Sequence, residues 1–141
     1  MAEASRSRGK GIPSADYADD RSVTVLAQAQ RIAAVALDKL AEDVVILDMR
    51  EMCSFTDYFV IATGRNTRQV KGIHDEILVK LKQEERLIAR GIAGEREADW
   101  IVIDYVDIVV HVFTPEQRSF YRLEDLWADV PRVEVDAVTT A

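Results

Sequence analysis

Residues 100–127 read W-I-V-I-D-Y-V-D-I-V-V-H-V-F-T-P-E-Q-R-S-F-Y-R-L-E-D-L-W, and their alternation specifies two strands, a reversal and a capped helix. Ile101 and Ile103 share one face of the first strand while Trp100, Val102 and Asp104 share the other, because successive side chains on a strand point to opposite sides. In the second strand Ile108, Val110 and Val112 fall on one face, with Asp107, Val109, His111 and Phe113 on the other. A turn at Asp104, Tyr105, Val106 and Asp107 makes these an antiparallel hairpin in which the two aliphatic sets align and so do the two mixed sets. One sheet face is then plain core. The other carries a tryptophan, a histidine, a phenylalanine and two carboxylates, which is odd to leave in water and costly to bury without partners.

After the hairpin, Thr114 suits a helix cap, Pro115 the first helical position and Gln117 the far side of a capping box. Phe120, Leu123 and Trp127, flanked by Tyr121 and Leu126, form an apolar stripe at helical spacing that is expected to pack back on the sheet.

Working outward, residues 1–20 mix Ser, Arg, Gly, Lys, Pro and Asp without period and are expected to be a disordered leader. Its basic patch at Arg6, Arg8 and Lys10 reads either as a solvated tail or as a contact with RNA. From Ser22, with Asp20 or Ser22 as cap, Val25, Leu26, Ala29, Ile32, Ala33, Ala36, Leu37 and Leu40 recur at helical spacing. The run Val44, Val45, Ile46, Leu47 predicts a strand buried on both faces. A second strand spans residues 56–64, and Val70, Ile73, Ile77 and Leu81 then mark an amphipathic helix starting near Asn66 or Thr67. Residues 87–92 predict a short irregular strand before a charged loop, and residues 131–141 a tail with weak alternation. The predicted order is α-β-β-α-β-β-β-α. It describes an α/β fold of one domain over residues 21–130, with a mixed sheet of about five strands and packed helices.

Composition narrows the partners. Of 141 residues, 48% are hydrophobic and 30% charged, which suits one globular core. The net charge of −7 and pI near 4.8 argue against sequence-independent affinity for nucleic acid, which needs clustered Lys and Arg. No apolar run approaches the roughly 20 residues that span a bilayer, and no secretory segment opens the chain, so a cytoplasmic location is expected. Cys53 stands alone, without a disulfide partner or a neighbour at metal-ligand spacing.

Several residues invite a chemical reading. The loop Thr63-Gly64-Arg65-Asn66-Thr67 joins a strand to a helix N-terminus, where anions are favoured, yet its single glycine matches no phosphate-binding pattern and a capped turn explains it as well. Asp104 and Asp107, with Asp57 as third carboxylate, suggest Mg²⁺ for nucleotidyl or phosphoryl transfer, but no nucleotide cradle accompanies them. Turn chemistry at Asp104 and contact with a basic protein are the competing readings. His74 is expected to be solvated beside its helix stripe, and His111 to be hydrogen-bonded within a packed sheet face. Trp127 belongs with the core; Trp100 fits core or interface equally.

Four stretches together resemble the ribosomal silencing factor (RsfS, Iojap-like) family: T-D-Y-F-V-I-A-T-G at 56–64, Arg68-Gln69-Val70, W-I-V-I-D-Y-x-D-I-V-V-H-V-F at 100–113, and F-Y-x-L-E-x-L-W at 120–127. The similarity runs over residues 23–130. It implies a fold related to nucleotidyltransferases without their catalytic apparatus, hence no enzyme, no metal and no cofactor. It further implies binding to the large ribosomal subunit through its fourteenth large-subunit protein, a basic protein on the joining face. A docked molecule blocks the small subunit and damps translation when nutrients run short, and some members form homodimers in isolation. Neither a membrane nor a specific nucleic-acid sequence is an expected partner. On this reading Trp100, Asp104, Tyr105 and Asp107 are the main contact residues, with Asp57 and Tyr58 secondary. One departure is Val106, where the family usually has glycine, a β-branched residue poorly suited to positive φ.

Overall fold

The computed structural model describes residues 15–135, with side chains from residue 24 onward. Six strands form one mixed sheet: β1 (Glu42–Asp48), β2 (Tyr58–Thr63), β3 (Gly91–Ala93), β4 (Trp100–Asp104), β5 (Ile108–Phe113) and β6 (Arg132–Val133). Their spatial order is β3-β4-β5-β2-β1-β6. Every neighbouring pair is antiparallel except β2 and β5, which run parallel at the centre. Two long helices, α1 (Ala15–Asp38) and α2 (Thr67–Glu85), cover one face, and α3 (Pro115–Tyr121) with the single turn α4 (Leu123–Leu126) lies on the other.

Parity holds as the hairpin pattern requires. Ile101 pairs with Val112 and Ile103 with Val110, and all four sit in the helix-side core, while Trp100 pairs with Phe113 and Val102 with His111 on the opposite face. Every residue of β2 is buried, because its alternating side chains enter two separate clusters. Val25, Ala29, Ile32, Ala33 and Ala36 of α1 and Val70, Ile73, Ile77 and Leu81 of α2 close the helix side. Arg31 and Glu84 join the two helices through a bidentate pair at 2.7 and 3.0 Å.

Several boundaries differ from the pattern-based expectation. α1 begins at Ala15 rather than Ser22, so residues 15–20 are helical and not leader; Arg6, Arg8 and Lys10 lie outside the described residues. At its other end the helix stops at Asp38. Leu40 takes a left-handed φ of 66° and the Ala41 N–H donates to the Ala36 carbonyl at 3.0 Å, a Schellman closure that swings Leu40 out to solvent. The region after Pro131 supplies a sixth strand, β6, paired to the outer edge of β1. α2 starts where expected, with Asn66 as its cap accepting from the Gln69 N–H at 2.9 Å.

The predicted helix over residues 115–127 is interrupted. Thr114 caps α3, its hydroxyl accepting from the Gln117 N–H at 3.4 Å, but the Gln117 side chain reaches Asp99 at 3.0 Å instead of completing a capping box. Arg122 then adopts φ 49°, which ends α3 and starts α4 on a new axis. Leu123 and Trp127 pack on the sheet, whereas Phe120 is 76% and Leu126 73% exposed, so the single apolar stripe does not form.

At the hairpin, Val106 sits at φ +77°, so the turn keeps a glycine-like conformation with a β-branched residue in it. Such strain costs on the order of 1–3 kcal/mol, and glycine returns part of the gain through its larger unfolded-state entropy. Val106→Gly is therefore expected to raise stability by about 1 kcal/mol, read as a later urea midpoint. An unchanged or earlier midpoint would show that the valine side chain is compensated in place.

Candidate functional site

The face of the sheet opposite the two long helices is covered over only part of its width. Leu47, Met49, Phe59, Ile61, Phe113 and Val130 are buried there, with Leu123 and Trp127 packed against them. Arg118 pins this cover down: its guanidinium donates to the Asp43 carbonyl at 2.6 Å and the Thr63 hydroxyl at 2.7 Å, and grips Glu124 through two bonds at 2.9 and 2.8 Å. That pairing holds the Glu124 carboxyl below its usual range. Toward β4 and β3 the cover runs out, and Trp100, Val102, Asp104 and Val109 are only half-buried. Gly91 and Ala93 of β3 pair with Asp104 and Val102, and a Cβ at Gly91 would meet nothing within 4 Å. The open half of the face is thus flat beside β3 and aromatic beside Trp100.

Trp100 is held on three sides. Phe113 stacks on it with ring centroids 4.9 Å apart and planes 25° apart, Tyr121 lies at 4.6 Å, and the indole N–H donates to His111 Nδ1 at 3.1 Å. Phe120 meets Tyr121 edge-on at 5.0 Å and carries the aromatic ladder out to solvent. His111 is 7% exposed and lies against Phe59 at 4.9 Å, so burial pulls its pKa down to about 4 and the ring is neutral. Since Nδ1 accepts, the ring proton sits on Nε2, which is buried without a partner among the described residues. The expectation of a hydrogen-bonded histidine in a packed sheet face is met.

The carboxylates gather at the other end of β4. Asp104 stands four residues from Trp100 on the same strand face, about 13 Å by strand rise. Its Oδ1 accepts from the Val106 N–H at 2.8 Å and its Oδ2 pairs with Arg90 at 2.6 Å, so this carboxylate closes the turn and is already matched by a cation. Asp57 and Asp107 lie beside it, because the Asp107 carbonyl accepts from the N–H groups of Asp57, at 2.8 Å, and Tyr58, at 3.1 Å. Both aspartates are half-buried and have partners within the chain. The like-charge opposition expected between Asp104 and Asp107 does not arise, since the strand partner of Asp104 is Val109.

Two expected contact residues turn inward. Tyr58 is 2% and Tyr105 4% exposed, both in the helix-side core, where burial pushes the Tyr105 hydroxyl up to about 12. Tyr58 carries the Arg50 guanidinium over its ring at 5.5 Å. A ring in the core offers nothing to a docking partner. His74 also departs from expectation: it is buried, with Nδ1 2.9 Å from Asp75 Oδ1. In the opposite sense, Phe120, Tyr121 and Leu126 on the arm and Met52 and Phe55 near the acidic end are exposed apolar residues. For the arm residues no sequence signal was available, because the left-handed Arg122 that rotates Phe120 outward is not marked by glycine or asparagine.

Gly64 serves close packing, since a Cβ there would stand 2.8 Å from the Val70 nitrogen. The Gln69 side chain accepts from the Arg65 N–H and donates to the carbonyls of Lys39 and Leu40, so the loop is braced by the chain itself. No group of three or more His, Cys, Asp or Glu that could hold a metal ion occurs among the described residues. No helix among them is long and apolar enough to cross a membrane.

Because unfolded His111 takes up a proton near 6.5 and folded His111 only near 4, the unfolded state binds more protons between these values. Its contribution to stability is therefore complete above pH 6.5 and lost as pH falls toward 4, about 2 kcal/mol of it between pH 7 and 5. The Asp48, Glu84 and Glu124 carboxyls, lowered by their arginine partners, add acid sensitivity only near and below their ordinary values. Urea denaturation at pH 7 and 5 is expected to show this loss in the wild type and a clearly smaller one in His111→Leu; equal losses would mean that His111 titrates freely when folded.

Comparison with known proteins places the chain. A family model described as "Ribosomal silencing factor during starvation" matches residues 22–141. A "Ribosomal silencing factor RsfS" of Halalkalibacterium halodurans is 42% identical over 101 residues, 72% of this chain and 86% of that protein. One from Bacillus subtilis is 41% identical over 107 residues, 75% of this chain and 90% of the relative. "Protein Iojap, chloroplastic" of Arabidopsis thaliana is 31% identical over 130 residues, 92% of this chain and 53% of that protein. Among solved structures, a Bacillus halodurans protein matches with TM-score 0.63 and 38% identity over 74% of this chain and 94% of its own, and a Chromobacterium violaceum protein with TM-score 0.64 and 32% identity over 79% and 96%. With its mixed six-stranded sheet, its half-covered second face and a family match from residue 22 to the last residue, this chain belongs to the ribosomal silencing factor family.

Proposed function

We propose that the chain represses translation by docking on the large ribosomal subunit through its fourteenth large-subunit protein and blocking the approach of the small subunit under nutrient limitation. Family membership supplies the ribosome. The open half of the second sheet face supplies the surface, and it is the single observation that carries this reading: half-buried Trp100 continues into Tyr121 and exposed Phe120, beside a flat strip at Gly91 and Ala93. Aromatic anchors of this kind dominate interface energetics. Asp57, Asp104 and Asp107 form the acidic end of the same surface, and with a net charge of −7 they suit a basic protein partner. Tyr58 and Tyr105 support that end from the core.

The mechanism is occupancy and not catalysis, carried out in the cytoplasm where subunits meet. An interface of standard size, roughly 1,200–2,000 Å² in total, is enough to hold a 15.9 kDa body where another subunit must land. The chain is expected to cosediment with isolated large subunits at low and moderate salt and to inhibit their joining to small subunits. Trp100→Ala should weaken binding by about 30-fold, the scale of a hot-spot truncation. Asp104→Lys with Asp107→Lys should weaken it further at low salt than at high salt. Absence of cosedimentation would remove the proposal, and a double-lysine variant that binds like wild type while folding normally would move the site elsewhere.

The same aromatic edge suits a homodimer when no ribosome is present. Mutual repulsion of two acidic bodies is screened by salt, so sedimentation at two ionic strengths is expected to give the stronger dimer at the higher one. A dimer that weakens with salt would count against self-association through this edge.

A further inference from the structure

Among the described residues, His111 is a buried polar group that touches the docking surface without belonging to it. His111 occupies a sheet position between Val109 and Phe113, cross-strand from Val102, in a setting of Phe59, Phe113 and Trp100. If packing were all the position required, an aliphatic side chain would fill it without burying a polar nitrogen, and here Nε2 is buried with no partner among the described residues. What the imidazole supplies that an aliphatic residue does not is an acceptor, Nδ1, and that acceptor takes the indole N–H of Trp100. Phe113 and Tyr121 flank the indole, but ring contacts of this kind are also made by an indole turned over about its Cβ–Cγ bond, with its N–H on the other side. The hydrogen bond removes that freedom.

We propose that His111 is a positioning residue for ribosome docking: its neutral Nδ1 fixes the orientation of the Trp100 indole, so that the exposed part of that ring meets the basic ribosomal protein already oriented. The inference rests on the docking role proposed for Trp100. Preorganisation lowers the ordering cost of binding, so the residue contributes to affinity without touching the partner. The required tautomer follows from the geometry, because a ring that accepts at Nδ1 carries its proton at Nε2, which is buried.

Two substitutions in the full chain separate orientation from packing. In His111→Asn the side-chain oxygen stands near the place of Nδ1 and keeps an acceptor; in His111→Leu the volume is kept and the acceptor is gone. Nitrogen–proton NMR of the free protein reads the indole N–H of Trp100 directly, assigned by its disappearance in Trp100→Phe. The resonance is expected to be protected from solvent exchange in the wild type and in His111→Asn, and unprotected in His111→Leu. Large-subunit binding should fall about tenfold in His111→Leu, the scale of one hydrogen bond, and return to within about threefold in His111→Asn. Trp100→Phe combined with His111→Leu should lose no more than Trp100→Phe alone, because His111 then has no N–H to hold.

Additive losses in that pair, or a His111→Leu protein that binds like wild type after its indole N–H has lost protection, would overturn the proposal while leaving the docking role of the chain intact. An indole N–H as protected in His111→Leu as in the wild type would overturn it as well. Should His111→Leu not fold, the Trp100→Phe and His111→Asn arms still decide: a His111→Asn protein with a protected indole and tenfold weaker binding would be inconsistent with a role in orientation. Failure of the wild-type chain to bind large subunits is the separate failure of the docking role itself.

Discussion

The parallel pairing of β2 with β5 is the constraint to which the rest of the molecule answers. Six successive register pairs, from Tyr58 with Ile108 to Thr63 with Phe113, place two wholly or almost wholly buried strands side by side at the centre of the sheet. A strand buried on both faces needs cover on both. The long helices α1 and α2 give one cover, broad enough for the entire helix side. On the other side the described residues supply a seven-residue helix, a single turn and the segment leading to β6, and these reach across Phe59, Ile61 and Phe113 and touch β4 at Trp100 but leave the rest of β4 and β3 open. The open strip beside Trp100 is what remains when a central parallel pair is covered by a short arm.

The arm itself depends on polar contacts more than on area. Neither α3 nor α4 has a buried residue. Arg118 supplies the attachment, bonding at once to the β1 backbone, to the end of β2 and to Glu124, with 11% of its side chain exposed. A pair this sheltered is worth more than a surface ion pair only if its lone pairs and protons are all matched, and here both Glu124 oxygens and three guanidinium nitrogens are engaged. The turn at Arg122 follows from that grip, since Glu124 must come back within reach of Arg118. Phe120 is thereby left pointing away from the core and becomes available to a partner.

Much of this was legible in the chain. Period-two alternation through residues 100–113 gave the hairpin and the face of each side chain but not the register, which is shifted by two residues so that Asp104 pairs with Val109, and Thr114 with Pro115 gave the start of α3, because strand parity and helix caps are local properties. What was not legible depends on tertiary contact or on backbone conformation without a residue signature. Leu40, Val106 and Arg122 all adopt positive φ where glycine or asparagine would have announced it, and each redirects a side chain or an axis. Tyr58 and Tyr105 are expected at the docking surface on the family resemblance, yet strand parity assigns Tyr58 to the face of Val60 and Ala62. His74 could have been placed correctly, since it lies at the same spacing as Val70, Ile73 and Ile77; its polarity hid the pattern.

The acidic end therefore has a different meaning from the one its sequence suggests. A basic partner arriving at Asp104 meets a carboxylate that already holds Arg90 at 2.6 Å and the Val106 N–H at 2.8 Å, and Asp57 and Asp107 have partners of their own. Recruiting any of them to a new cation means giving up an existing interaction, so each direct ion pair with the partner is an exchange with small net gain. The net charge of −7 acts differently, because it attracts a basic surface over a Debye length of about 8 Å at physiological salt without breaking any contact. In the docking proposed above, charge on this chain thus governs how fast and in which orientation it meets a basic partner. On the same proposal, residence depends on the uncharged side of the surface, where Trp100, stacked between Phe113 and Tyr121 and tied to His111, offers an indole whose orientation is set before a partner arrives.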